Sequence, residues 1–560
     1  MHSGIFRARQ LSVCLFFFIS LILLLLRLSY LEVVRHNFFS NLAQEQHTVS
    51  IELFPKRGTI FDRHMRVLAV NLPSESIFAN PRQIIDKGGV SKTLASTLGL
   101  KEYFVRNRLS RKKSFVWLKR KVSLKEAAEI KRLKIEGVEV IEESKRFYPN
   151  GQLACHVLGT VDTDNKGLEG LESFYDRYIK GESGWLISAQ DARRRLVESY
   201  ENSFFPPKNG LNLVLTIDEV IQHVAERELL KMYEKYNAKA ASIIVMDPRS
   251  GDILALANFP NYDLNNRGRR PVESVRNRAI NDFFEPGSVF KIVTASAALE
   301  EKVVGLNDKF YCENGEYRVG RRILHDHRPH GVMTFKEVIE KSSNIGTVKV
   351  ASLFGPERMY KYMRGFGFYE KTGIDLPGEV TGMNRALAKW SRVSMLAIPM
   401  GQEVTTTAMQ LACAISVISN DGLLMKPRVV KEIVDENGMV VKENPPKAVR
   451  RVISSRTAQT MRDILMGAVE TGTGKKARIE DYDVGGKTGT AQKVENGAYS
   501  HERFIASFIG FAPVKNPCLS VVVCVDEPRP VYYGGDVAAP VFKNVVDESL
   551  KYLNAKAPVR

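Results

Sequence analysis

Residues 11–26 read LSVCLFFFISLILLLL, an uncharged apolar run close to the N-terminus. About 20 such residues span a bilayer core as a helix. Past Arg27 the stretch LSYLEVV extends the apolar character, and the Arg27 head can snorkel to the far interface. Arg7 and Arg9 precede the run, so residues 1–10 are expected as a cytoplasmic tail and 11–31 as a transmembrane anchor. A cleaved signal peptide is the alternative, because its core is equally apolar. Arg-Leu-Ser-Tyr follows Leu26, however, and offers no small-x-small cleavage site. The expectation is an uncleaved single-pass anchor in the inner (cytoplasmic) membrane, with everything after about residue 32 on the periplasmic or extracytoplasmic side.

The 560 residues suggest two to four domains. A hydrophobic content of 44% and a charged content of 26% are ordinary for folded protein. The formal net charge of +18 implies anionic surroundings. No zinc-finger spacing and no aromatic-basic RNP motif occurs, so a membrane surface explains the charge better than nucleic acid. The six cysteines include no C-x-x-C, which excludes a zinc ribbon or thioredoxin motif and leaves buried free thiols as the expected state.

After the anchor, residues 50–205 read as a mixed α/β scaffold or pedestal. PKRGTIFDRHMRVLAVN suggests strands around a turn, SLKEAAEIKRLKIEG a charged helix, and DNKGLEGLESFYDRYIKGESG an amphipathic helix. FFPPKNG marks a composition shift, and 206–560 read as a second domain. There LNLVLTI alternates like a strand, VIQHVAERELLKMYEKY has helical period, and ASIIVMDPRSGDILALANFP reads as a hairpin. CLSVVVCVDEP follows as a buried strand and VFKNVVDESLKYL as a terminal helix. The fold class is therefore α+β, with an antiparallel sheet flanked by helices in the C-terminal domain.

Three short motifs lie in this domain: Ser288-Val289-Phe290-Lys291, Ser342-Ser343-Asn344 and Lys487-Thr488-Gly489-Thr490. Each alone is weak, and Ser288 or Ser342-Ser343-Asn344 could be plain helix caps. In this order, in a domain expected outside the cytoplasm, they resemble the active-site trio of penicillin-binding proteins and class A β-lactamases, with Ser288 as nucleophile. The chemistry is coherent. A serine hydroxyl needs a base, and Lys291, one turn on, shares its helix face. Lysine is a base only when neutral; burial and a second cation, for which Lys487 is the candidate, both lower its pKa. A helix start at Ser288 also favours developing negative charge. With period two, Thr488 and Thr490 share one strand face, suited to a substrate carboxylate, and Lys487 takes the other, reaching towards Ser342. Gly489 allows close approach of a substrate backbone. The N–H groups of Ser288 and Thr490 are expected as the oxyanion hole. Ser342 would relay a proton to the leaving amine, and Asn344 would bond the substrate amide and Lys291.

The resemblance runs along nearly the whole chain. Arg57-Gly58-Thr59-Ile60-Phe61-Asp62-Arg63, then Arg146, Tyr148 and Pro149, then Gly167-Leu168-Glu169-Gly170-Leu171-Glu172 are similar to pedestal motifs of class B penicillin-binding proteins. Arg276-Asn277-Arg278-Ala279 and Thr372-Gly373-Ile374-Asp375-Leu376-Pro377-Gly378-Glu379 are also family-like. Tyr532-Tyr533-Gly534-Gly535 with Ala539-Pro540-Val541-Phe542 resembles the cell-division, or septal, branch. The family often reads G-Q-G where this chain has Gly401-Gln402-Glu403, and Val289 stands where threonine is common.

The resemblance implies a serine D,D-transpeptidase that cross-links peptidoglycan stem peptides built from lipid II, needs no cofactor, and is acylated by β-lactams. It implies no glycosyltransferase domain, so glycan would come from an FtsW-type polymerase among divisome membrane proteins. An elongation-type transpeptidase, a D,D-carboxypeptidase or β-lactamase, and a non-enzymatic β-lactam-binding sensor or scaffold are the alternatives. Two rival sites are set aside. His325-Asp326-His327 with His330 looks like a metal cluster, but three ligands in one short loop would strain a tetrahedral site. Neither Gly486-Lys487-Thr488 nor Gly474-Lys475 completes a phosphate loop, because Asp481 and Val469 stand where its first glycine is needed.

Overall fold

The computed structural model describes residues 2–39, 48–190, 196–197, 203–266, 268, 270–320, 322–383, 385–391, 393–495 and 497–554. They group into two compact units, 1–56 with 181–209, and 57–180 with 210–560. The smaller unit contains the helix His2–Ser29, continued by a wider helical turn at Tyr30–Val34. Gly4–Val34 is long and apolar enough to cross a membrane, and its most apolar 18-residue window has a mean hydropathy of 2.7. Its leucines and phenylalanines are exposed all round, as suits a helix solvated by lipid. The same unit holds a four-stranded sheet in which Gly184–Gln190 pairs antiparallel with Thr48–Leu53, Leu196–Val197 and Ser203–Phe205. The span 50–205, expected as one pedestal, is thus divided between the units.

In the larger unit, Ile60–Phe61 and Val67–Ala79 form the hairpin expected in PKRGTIFDRHMRVLAVN. Ile60–Phe61 also pairs in parallel with Asn212–Leu215, which pairs antiparallel with Val430–Val434. LNLVLTI therefore belongs to this seven-stranded sheet and not to the main one. The charged helix is Leu124–Leu133, opened by a reciprocal cap between Ser123 and Glu126. The amphipathic helix expected in DNKGLEGLESFYDRYIKGESG is instead two short pieces, Gly170–Phe174 and Asp176–Ile179. Close backbone crossings shape this segment: a Cβ on Gly159 would lie 1.9 Å from the Glu169 carbonyl oxygen.

An ion cluster lies beneath this segment. Glu172 is fully buried and accepts hydrogen bonds from Arg57 Nε at 2.5 Å, Arg146 Nε at 2.6 Å and the Tyr148 hydroxyl at 3.2 Å. Arg146 Nη1 also donates to the Gly58 carbonyl at 2.7 Å. The family-like positions 57, 146, 148 and 172 thus meet in one buried network.

The C-terminal part is built on five antiparallel strands: β1 (Ala240–Met246), β2 (Ile253–Phe259), β3 (Gly485–Glu495), β4 (Ala498–Ala512) and β5 (Leu519–Asp526). Their order is β2-β1-β5-β4-β3, which leaves β3 at an edge. Alternation sends Ile243, Phe508 and Val523 to one face, against Ile221 and Leu229 of α1 (Glu219–Lys235) and Phe542 of the terminal helix Gly534–Tyr552. Ile244, Ile509 and Val522 go to the other face. There they meet α2 (Lys291–Glu300) and the wholly buried α3 (Ala408–Ser419) in the largest core cluster. Asp218 starts α1 by accepting from the Val220 and Ile221 N–H groups. Cys155, Cys312, Cys413 and Cys524 are buried free thiols; Cys518 is half-buried, and Cys14 is exposed on the N-terminal helix.

Candidate active site

Ser288 lies in a tight 3₁₀ turn, Gly287–Phe290, that runs directly into α2. Val289 and Phe290 are fully buried, so the turn is pinned by its own apolar side chains. No side-chain cap occurs at this helix start, and the half-buried Ser288 is not an N-cap. Gly287 has φ +56° and donates its N–H to the Gly401 carbonyl at 3.0 Å.

Lys291 is fully buried. Its Nζ meets the Ser342 carbonyl at 2.7 Å, Asn344 Oδ1 at 2.7 Å and Ser342 Oγ at 3.2 Å. Sequence reasoning aims this amine at Ser288; the hydrogen bonds of Nζ go instead to Ser342 and Asn344. A charged amine would donate all three bonds. A neutral one donates two and accepts the Ser342 hydroxyl in its lone pair. Burial pushes the Lys291 pKa well below the ordinary lysine value, the Lys487 charge lowers it further, and Asp326 opposes both.

The helix Asn344–Ser352 explains why Ser342 and Asn344 are available. Ser343 is its N-cap, accepting from the Gly346 N–H at 2.9 Å, so the capping role falls on the middle residue of the motif. Asp326 accepts from the Ser343 hydroxyl at 2.6 Å and from the N–H groups of Asn344 at 2.5 Å and Ile345 at 3.1 Å. The sequence offers Asp326 only as part of a metal cluster. Among the described residues no group of His, Cys, Asp and Glu converges on a metal site. Asp326 holds a helix end instead, which favours a carboxylate, and the His327 ring stacks on Tyr533 with centroids 5.1 Å apart. Ser342 has φ +62°, a left-handed conformation costing about 1–3 kcal/mol for a non-glycine residue. That conformation accompanies the aim of both its carbonyl and its hydroxyl at Lys291.

On the edge strand β3, Thr488 and Thr490 face the cleft while Lys487 is fully buried behind it. The reach of Lys487 to Ser342 is not made: Nζ donates to the Thr488 carbonyl at 3.2 Å. Burial lowers the Lys487 pKa to about 7. Gly489 serves packing more than open space, because a Cβ there would sit 2.3 Å from Ser507 Oγ and 2.8 Å from Val289 Cγ1. The missing side chain lets β3 lie against the Ser288 turn.

Two threonine hydroxyls are set up as donors. Thr490 Oγ1 accepts from the Gly534 N–H at 3.0 Å, which leaves its own hydrogen for another partner. Thr473 and Thr488 share one hydrogen bond of 2.8 Å, so one of their two hydrogens remains. Two free hydroxyl hydrogens beside a basic rim that includes Lys475 suit a carboxylate. Thr473 was missed from sequence, where Thr471-Gly472-Thr473-Gly474 registers only as a failed phosphate loop; its alternation of hydroxyl and glycine is the available signal. The cleft encloses 1170 Å³ and is lined by Ser288, Ser342, Asn344, Thr488 and Thr490, among others. Phe504, Tyr532 and Tyr533 form a stacked wall, with Phe504–Tyr532 centroids 4.0 Å apart.

Residues 241–547 match the penicillin binding protein transpeptidase domain, and 52–215 match the penicillin-binding protein dimerisation domain. The chain is 38% identical to stage V sporulation protein D of Bacillus subtilis, over 98% of this chain and 86% of that protein. It is 31% identical to the peptidoglycan D,D-transpeptidase FtsI of Escherichia coli K12, over 99% of this chain and 93% of that protein. Among solved structures, penicillin binding protein 3 of Mycobacterium tuberculosis in complex with aztreonam superposes with a TM-score of 0.71 at 29% identity, covering 91% of this chain and 98% of that one.

Proposed function

The chain belongs to the penicillin-binding protein family, with a dimerisation domain ahead of a transpeptidase domain, and we propose that it is a membrane-anchored serine D,D-transpeptidase that cross-links peptidoglycan stem peptides during septal wall synthesis. The observation that carries the reading is the fully buried Lys291, held by Ser342 and Asn344 one turn from Ser288 at the floor of an open cleft.

In this reading Lys291 takes the Ser288 hydroxyl proton as Oγ attacks the carbonyl carbon of the penultimate D-alanine. The N–H groups of Ser288 and Thr490 hold the oxyanion. The peptide C–N bond breaks, the leaving D-alanine nitrogen takes a proton through Ser342, and an ester on Ser288 remains. An amine of a neighbouring stem then attacks the ester, forms the new amide and returns the proton to Ser288. Thr488 and Thr490 hold the terminal carboxylate, Lys487 supplies positive charge beneath it, Gly489 lets β3 approach, and Asn344 orients the substrate amide and Lys291. A β-lactam enters as a substrate mimic, with its ring C–N bond as the one that breaks.

The anchor at 11–31 supports placement in the cytoplasmic membrane, with residues 1–10 inside and the pedestal (50–205) and transpeptidase domain (206–560) on the periplasmic side. The substrate is then lipid II-derived glycan, supplied by an FtsW-type polymerase within the divisome. The similarity to FtsI favours the septal role over elongation.

Two experiments test this reading. Purified protein with lipid II polymer should yield cross-linked dimers, and Ser288→Ala should yield none; equal product from both would overturn it. Depletion in cells should give filaments, whereas rounded cells would assign the protein to elongation. Acylation by penicillin should also respond to pH in a defined direction. Lys291 is the base only when deprotonated, so the rate should fall as pH is lowered through its depressed pKa. The midpoint should lie far below the roughly 10.4 of an ordinary lysine; a midpoint near that value would contradict a buried, neutral amine.

A further inference from the structure

Glu403 is a glutamate in a glycine's conformation. Its φ is +57°, in the left-handed region that non-glycine residues rarely adopt. Its side chain is tied down. Arg385 Nη1 donates to Oε2 at 2.8 Å, the Ser394 hydroxyl donates to the same oxygen at 2.9 Å, and Arg322 approaches Oε1 at 3.8 Å. Its backbone is equally committed. The Glu403 N–H donates to Glu285 Oε1 at 3.0 Å, three residues before Ser288.

The segment around Glu403 braces the back of the Ser288 turn. Gly401 accepts from the Gly287 N–H at 3.0 Å, and a Cβ on Gly401 would lie 2.1 Å from the Gly287 carbonyl oxygen. Thr406 and Phe284 exchange backbone hydrogen bonds of 2.8 and 2.9 Å. Residues 401–406 therefore run along 284–287, and the left-handed turn at Glu403 sets where both ends of that contact fall.

We propose that Glu403, clamped by Arg385 and Ser394, is a positioning residue: its ion pair holds a strained backbone turn that fixes the Gly287–Ser288 segment for acylation. Glu403 touches neither the reacting atoms nor Lys291 in this account. A glycine at 403 would adopt the same backbone without strain and would need no clamp. An alanine would have the strain and no clamp. The ion pair is partly exposed, and exposed pairs contribute little by themselves; its effect is expressed through the backbone it holds.

The inference rests on acylation of Ser288, so the test carries Ser288→Ala alongside. The readout is penicillin acylation of the full-length chain, split into the noncovalent binding constant and the rate of the covalent step. Glu403→Ala should slow the covalent step about tenfold, with binding within twofold of wild type. Arg385→Ala should slow it in the same direction. Glu403→Gly should restore it to within twofold of wild type, and in the Glu403→Gly background Arg385→Ala should have no further effect. A merely destabilising role would not give rescue by glycine together with loss of the Arg385 effect. If Glu403→Ala acylates at the wild-type rate, or Glu403→Gly is as slow as Glu403→Ala, the positioning role is wrong. If Ser288→Ala is labelled as fast as wild type, the acylation reading itself fails, and that outcome is distinct from the other two.

Discussion

Lys291→Arg is expected to leave a folded protein that acylates Ser288 about 10²–10⁴-fold more slowly, the usual contribution of a positioned general base. The guanidinium stays protonated at any working pH, so it cannot accept the Ser288 proton. It also brings five N–H donors into a fully buried site where Nζ now meets two Ser342 oxygens and Asn344 Oδ1. Lys291→Met separates the two effects, because it keeps the length and removes both base and charge. Both variants should lose the fast covalent step, and Lys291→Met should melt close to wild type, since no buried amine then has to be desolvated. Stopped-flow acylation with a fluorescent penicillin, paired with thermal melts, measures this. A folded Lys291→Arg that acylates at the wild-type rate would remove lysine from the mechanism.

Glu172→Ala should lower the unfolding free energy by about 3–5 kcal/mol, the range for breaking a buried ion pair by deleting one partner. Arg57 and Arg146 are 3% and 2% exposed, and both place Nε on this one carboxylate. Arg57 retains Asp176 and the Asn165 and Glu172 carbonyls as acceptors. Among the described residues Arg146 keeps only the Gly58 carbonyl and Asn71, and its Nη2 already has no partner. The greater cost therefore falls on Arg146. The double variant Glu172→Ala/Arg146→Met should recover part of the loss by removing the orphaned charge. Denaturant midpoints of the three proteins check this; a midpoint for Glu172→Ala within error of wild type would contradict it.

The parts of the fold legible in the sequence are those set by local pattern. The β1–β2 hairpin, α1 and β5 all follow from periodicity and turn residues within one window. The division of 50–205 between two units was not legible, because it depends on pairing of Thr48–Leu53 with Gly184–Gln190, and neither strand carries a signal naming its partner. At the site, i,i+3 spacing places Ser288 and Lys291 on adjoining turns, and strand alternation separates Lys487 from Thr488 and Thr490. Neither rule specifies contacts across the fold. The bonds from Lys291 to Ser342 and Asn344 join segments about 50 residues apart, and only the family resemblance points to them. Alternation gave the face of Lys487 but not its acceptor, which is the Thr488 carbonyl. Asp326 drew attention for its histidine neighbours, whereas its work is done on backbone N–H groups 18 and 19 residues on. Glu403 stood out only as a missing glycine; its left-handed backbone has no signature in a glutamate.

Intact-protein mass measurement after brief exposure to benzylpenicillin, followed by peptide mapping, reads acylation of Ser288 without an intermediate assay. One penicillin should be added per chain, located on the peptide containing Ser288, long-lived, and absent from Ser288→Ala. No adduct on the folded wild-type chain, rapid release of hydrolysed drug, or an adduct that persists in Ser288→Ala would contradict it.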